Sequence, residues 1–251
     1  MKHFRWLVVI LAIGGLAATS LFYSFSPPAK TISPVVKLAP GSASIVDSIF
    51  TVQTKILKQL GKKRKVLFIG DSMLEGLCSR LTDYFEHAGF ETNTLVWYGG
   101  NSKAWCRHDT LKTILEINKP DFVIFSNGTN ELLMPYIRLR EPYIVKLKEA
   151  LTPYRFAWIG PPNWKEDTGI NHLIDSTLNN ENFYYSGNLK LERLKDGIHP
   201  NKNGNQVWAD SIVSWVNANY ADYMYLSKPD TFKGRMKNYH FIPTSYLFVK
   251  E

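Results

Sequence analysis

Cysteine is nearly absent from this chain: Cys78 and Cys106 are the only two in 251 residues. Two thiols are too few for a structural zinc site, and the six histidines show no metal-ligand spacing. No Walker or dinucleotide-type glycine pattern is present either, so no metal and no cofactor is expected. Internal repeats and low-complexity tracts are missing as well. Acidic residues are in deficit, 22 against 30 basic ones, for a formal net charge of +8. That balance invites a nucleic-acid reading, but no recognition motif accompanies it, and no nucleic-acid partner is expected. Attraction to an anionic surface, or a plain solvated face, accounts for the charge equally well.

One apolar run is long. Lys2, His3 and Arg5 precede an uncharged stretch from Trp6 to Phe25, closed by Pro27-Pro28. About 20 apolar residues span a bilayer, and the positive flank places the amino terminus on the cytoplasmic side. A cleaved signal peptide with a break near Ala17-Ala18-Thr19-Ser20 is the alternative. The stretch continues past Ala18 to the length of a span, which favours an uncleaved anchor, and no cysteine follows it to carry a lipid. Under either reading the rest of the chain is exported, with membrane contact through residues 1–28 and the domain in the periplasm or outside the cell.

Residues 29–44 (AKTISPVVKLAPGSAS) read as a linker. Residues 45–64 carry a helical apolar spacing (Ile45, Ile49, Val52, Ile56, Leu60) and then the basic knot Lys62-Lys63-Arg64-Lys65. From 65 to 220, short buried-type strands alternate with amphipathic helices: Val66–Ile69, Thr92–Trp97, Phe122–Ser126, Arg155–Gly160 and Asn182–Tyr185 as strands. Such alternation implies parallel crossovers and a three-layer α/β/α sandwich. Residues 221–251 are aromatic and basic, too apolar for a free tail, and are expected to pack over the domain or meet a partner.

The chain is organised around KVLFIGDSMLE, Lys65 to Glu75. Ser72 falls where a buried strand stops and a helix begins, at the carboxyl edge of the sheet, the usual ligand position in an open α/β fold. Alone, Asp71 or Ser72 there is equally a helix cap. Three more blocks bear on the choice: Gly99-Gly100-Asn101-Ser102, Asn127-Gly128-Thr129-Asn130-Glu131, and Asp196-Gly197-Ile198-His199-Pro200-Asn201, each beside a strand end or before the last helix.

With these four blocks in order, residues 65–220 resemble the SGNH (GDSL-type) serine hydrolases. Glu131 departs from the pattern, where many members carry Asp, and the glycine block is irregular. The resemblance implies a flavodoxin-like five-stranded sheet of order 2-1-3-4-5. It implies Ser72 as nucleophile, His199 as its base and Asp196 as the group orienting the imidazole. It also implies an oxyanion hole from the N–H groups of Ser72 and Gly100 and the side-chain amide of Asn130. Gly100 is preferred to Gly99 for the Gly-x-Ser pattern it makes with Ser102. Asn127 competes with Asn130, which is otherwise a turn residue. Lys103, Trp105, Arg107 and Trp164 are candidates for substrate contact, although solvation for the cations and core packing for the tryptophans explain them as readily.

An exported member of such a family suits O-acyl, most simply O-acetyl, groups on an envelope carbohydrate, with envelope-modification proteins as partners. Acyl transfer to a sugar hydroxyl would use the same residues. A lipase, or a catalytically quiet carbohydrate-binding scaffold, are further readings; retention of Ser72, Asp196 and His199 together argues against the scaffold. Finally, the serine turn and the glycine loop must converge on one substrate, so a Cys78–Cys106 disulfide is expected, as exported proteins favour pairing.

Overall fold

A computed structural model describes residues 63–236 and 238–242; the expected anchor, linker and edge helix before residue 63 lie outside the described residues. The sheet is built from β1 (Lys65–Gly70), β2 (Glu91–Trp97), β3 (Phe122–Ser126), β4 (Phe156–Ile159), β5 (Phe183–Tyr184) and β6 (Tyr239–Ile242). All neighbours pair in parallel, in the order β5-β4-β3-β1-β2-β6. The first five follow the expected 2-1-3-4-5 order. The sixth corrects the expected count of five: it comes from the aromatic tail and lies beside β2, with Thr94 opposite Tyr239 and Trp97 opposite Ile242.

Alternation of side chains along each strand assigns the two faces. Val66 and Phe68 of β1 point into one core, with Phe122 and Ile124 of β3, beneath α1 (Met73–His87) and α6 (Lys202–Asn219). Leu67 and Ile69 point the other way, with Val123 and Phe125, beneath α2 (Ser102–Cys106), α3 (Thr110–Asn118), α4 (Glu141–Leu151) and α5 (Ile170–Thr177). A strand buried on both sides needs this unbroken apolar run, because successive side chains face opposite layers. On α1, Leu74, Leu77, Cys78, Leu81 and Phe85 recur at helical spacing and are all buried. The helix stops at Gly89, whose φ of 87° only glycine adopts freely. There Gly89 N–H donates to Glu86 O and Phe90 N–H to Phe85 O, and the Phe85 and Phe90 ring centroids lie 5.4 Å apart.

Residues following α6 fold back onto the first core. Met224 and Leu226 are buried within it, and Phe232 receives the Arg80 guanidinium 3.6 Å above its ring. Arg64, from the basic knot, is likewise drawn into packing: it lies over Phe90 and Tyr223 and donates to Tyr223 O at 2.8 Å.

The expected disulfide is not formed. Both cysteines are free and buried, Cys78 in the core under α1 and Cys106 in the core under α2, on opposite faces of the sheet. The serine turn and glycine loop do converge, but the helices that leave them diverge to either side, and a bridge needs Cα atoms within about 7 Å. Burial pushes the Cys78 thiol up to about 12 and the Cys106 thiol up to about 11, so both stay protonated at neutral pH.

Candidate active site

In a parallel sheet every strand ends on the same edge, and the four blocks meet there. Ser72 occupies the first turn beyond β1 with helical backbone angles (φ −59°, ψ −25°) and makes no side-chain capping bond. Its hydroxyl is therefore not consumed by the helix. Ser72 Oγ lies 3.0 Å from His199 Nε2, and His199 Nδ1 lies 2.7 Å from Asp196 Oδ2. The tautomer with its proton on Nδ1 satisfies both contacts: Nδ1–H donates to Asp196, and Nε2 accepts from the serine hydroxyl.

Asp196 and His199 come from a hairpin preceding α6. Asp196 Oδ1 also accepts the Ile198 and His199 N–H groups at 2.8 and 3.0 Å, so the carboxylate holds its own turn and the ring together. The hydrogen bond from His199 leads the causes that lower the Asp196 carboxyl to about 2. The pair is open to water, with side chains 42% (Asp196) and 36% (His199) exposed.

Asn130 sits in a short 3₁₀ turn (Thr129–Glu131) after β3, and its Nδ2 donates to Gly100 O at 2.8 Å. That bond engages one of the two amide hydrogens. Gly100 corrects its expected role. Its N–H closes a turn onto Trp97 O at 2.9 Å, so the donor expected at the oxyanion is committed elsewhere. Glycine is needed for space there: a Cβ would stand 2.9 Å from Trp97 O and 3.1 Å from Trp105 Nε1. The Ser72 N–H and the second Asn130 hydrogen have no protein acceptor among the described residues.

Two buried carboxylates hold the blocks in register. Asp71 accepts Met73 N–H at 3.0 Å with one oxygen and Thr129 N–H at 3.1 Å with the other. Burial pushes its carboxyl up to about 7. Glu131 accepts Ser102 N–H at 2.6 Å, at the start of α2, and burial raises its carboxyl too. The Glu131 side chain is thus long enough to reach the glycine block. Asn127, the competitor of Asn130, is buried with no partner for either side-chain polar atom among the described residues.

The substrate-contact candidates separate. Trp105 is fully buried, edge-on to Trp97 at 4.9 Å and to Phe125 at 6.0 Å, so it is a core residue and not a substrate contact. Trp164 is half-buried and packs against both cores. Lys103 is exposed on α2, and Arg107 is half-buried just past it. A cavity of about 390 Å³ opens between α3 and α4, lined by Trp105, Leu111, Leu147 and Tyr154, none of them a residue of the Ser72 site. Among the described residues no group of His, Cys, Asp and Glu side chains is placed to hold a metal ion.

No protein-family description matches the chain, and no curated protein matches it. Solved structures do. An acetyl xylan esterase, AlAXEase, aligns over 61% of this chain and 99% of its own at 17% identity, with a TM-score of 0.49. A protein from Bacteroides uniformis ATCC 8492, described as a GDSL-like lipase, aligns over 63% of this chain and 98% of its own at 15% identity, with a TM-score of 0.47.

Proposed function

We propose that the chain is an exported serine esterase that removes O-acyl groups, most simply O-acetyl, from a cell-envelope carbohydrate. The observation that carries the reading is the unbroken contact from Ser72 Oγ through His199 to Asp196. As an acyl ester binds, His199 Nε2 takes the Ser72 proton while Oγ bonds to the carbonyl carbon. The Asn130 amide and the Ser72 N–H face the oxygen where negative charge develops, and the positive end of α1 adds to them. His199 returns its proton to the departing sugar oxygen, leaving acyl-serine. Water, activated by the same imidazole, then releases the acid.

The openness of Asp196 and His199 supports water as the acceptor, since nothing on that side shuts solvent out. Membrane attachment through the apolar run before Pro27 supports an envelope substrate; no helix among the described residues is long and apolar enough to cross a membrane. The experiment is incubation with a short-chain nitrophenyl ester and with acetylated envelope glycan, with and without a sugar acceptor. Acid release independent of acceptor supports the esterase. Product formed only with acceptor would replace it by an acyltransferase, and inertness of both substrates would leave a binding scaffold.

A further inference from the structure

The hairpin carrying Asp196 and His199 lacks a core of its own. Leu194, Lys195, Asp196 and Gly197 are all exposed, and the apolar contacts of the hairpin with the first core come from Leu191 and Ile198 on its two legs, which leaves the tip unpacked. Its base is closed by backbone bonds: Leu194 N–H to His199 O at 2.8 Å and Asn201 N–H to Glu192 O at 2.9 Å. Its foot continues into α6, where the Asn201 side chain caps Gly204 N–H. These hydrogen bonds shape the hairpin and join it to one helix, and they do not reach the loop that follows β4.

The Arg193 side chain makes that polar connection. The Arg193 guanidinium donates through Nη1 to Ile198 O, the carbonyl of the peptide leading into His199. Through Nη2 it donates to Asn163 O at 2.9 Å and more distantly to Pro162 O at 3.4 Å. Pro162 and Asn163 follow β4 directly, and β4 is joined through β3 to β1, which ends at Ser72. A half-buried cation is thus spread over three carbonyls from two loops, with the Asp196 charge nearby supporting it. From this we infer that Arg193 is a positioning residue, bracing the His199 hairpin against the β4 loop so that the imidazole stays in line with Ser72 Oγ.

A planar fork suits this task. Its N–H groups diverge at fixed angles toward two separate acceptors, whereas a lysine ammonium on a flexible stem offers no such fixed span. The role rests on the esterase reading of the same site, and the test separates the two. The full-length protein is treated with a fluorophosphonate probe, which reports serine activation without requiring the natural substrate, and with a nitrophenyl ester, which separates kcat from KM. Arg193→Ala is expected to slow labelling and kcat by roughly 10- to 100-fold, the scale of loss when a reacting group is displaced by about 1 Å, with KM within about twofold. Added guanidinium is expected to restore part of the rate to Arg193→Ala, and Arg193→Lys is expected to remain slow despite keeping its charge. A labelling rate for Arg193→Ala within about threefold of the parent would overturn the role. So would a fully active Arg193→Lys, or a rate that falls only in proportion to the unfolded fraction measured by thermal melting. Should Arg193→Ala not fold, Arg193→Lys carries the test, and collapse of both variants would make the contact one of folding and overturn the inference. Absence of labelling in the parent protein would instead overturn the esterase reading, and the positioning role with it.

Discussion

Glu131 accepts the Ser102 N–H at 2.6 Å, joining the turn that carries Asn130 to the helix that follows Gly100. Removing the acceptor leaves a buried N–H unpaired, which costs about 1–3 kcal/mol. Glu131→Ala is therefore expected to lower stability by that amount in urea unfolding, with Glu131→Gln costing less because its amide oxygen still accepts. Equal stability of the alanine variant and the parent would show that water replaces the carboxylate.

Ser72 makes no capping bond, so its hydroxyl can be deleted without loosening α1. Ser72→Ala is expected to abolish fluorophosphonate labelling while leaving the melting temperature nearly unchanged. His199→Ala should lose labelling as well. Wild-type labelling in Ser72→Ala would remove the nucleophile assignment.

Asn130 donates one amide hydrogen to the Gly100 carbonyl, and the proposed mechanism gives the other to the developing oxyanion. For Asn130→Ala, kcat is expected to drop on the order of 10²–10³, the usual loss for one oxyanion donor, with KM little changed. A rise in KM at constant kcat would make it a substrate-binding residue instead.

The two carboxylates nearest the serine respond to pH in opposite senses. Asp196 is lowered in the folded protein, so its contribution to stability is complete above the unfolded value near 4 and is lost as pH falls through about 2. It stays charged throughout the range in which the protein would be assayed. Asp71 is raised to about 7, so the folded state holds its proton more tightly than the unfolded chain. Its contribution is therefore fully present below about pH 4 and declines as pH rises toward 7. Urea unfolding at pH 4.5 and pH 7 is expected to show a steeper loss for the parent than for Asp71→Asn. Parallel loss in both would place the titration elsewhere.

Thiol titration without reductant is expected to find two free thiols in unfolded protein and little reaction in the native state, where both are buried and protonated. A cystine recovered from intact material would contradict the opposed placement of Cys78 and Cys106.

Much of the architecture was legible because its signals are local. Apolar runs such as Phe122–Ser126 announce strands buried on both faces, and parallel strands bring their carboxyl ends to one edge, so blocks far apart in sequence had to gather there. What was hidden depends on which side of the sheet a segment takes. The glycine loop holds the short helix Ser102–Cys106, and that helix turns Trp105 inward and Cys106 away from Cys78. Tyr239–Ile242 alternates too briefly to announce a strand, and only the open edge of β2 gives it a place. Arg193 left no trace in the sequence either, since its acceptors are backbone carbonyls that any residue supplies.

The placement of β6 has a consequence for how the chain comes to be folded. Strand β2 is made early, yet the strand that covers its outer edge is synthesised after the five other strands of the sheet. Until then β2 presents unpaired N–H and C=O groups, a template for pairing with other chains. Joining the strand last also ties up a contact of very long sequence separation, the slow kind to form. That edge stays open until the chain has been made as far as β6, so β6 is a closing clasp on the sheet as well as one of its strands.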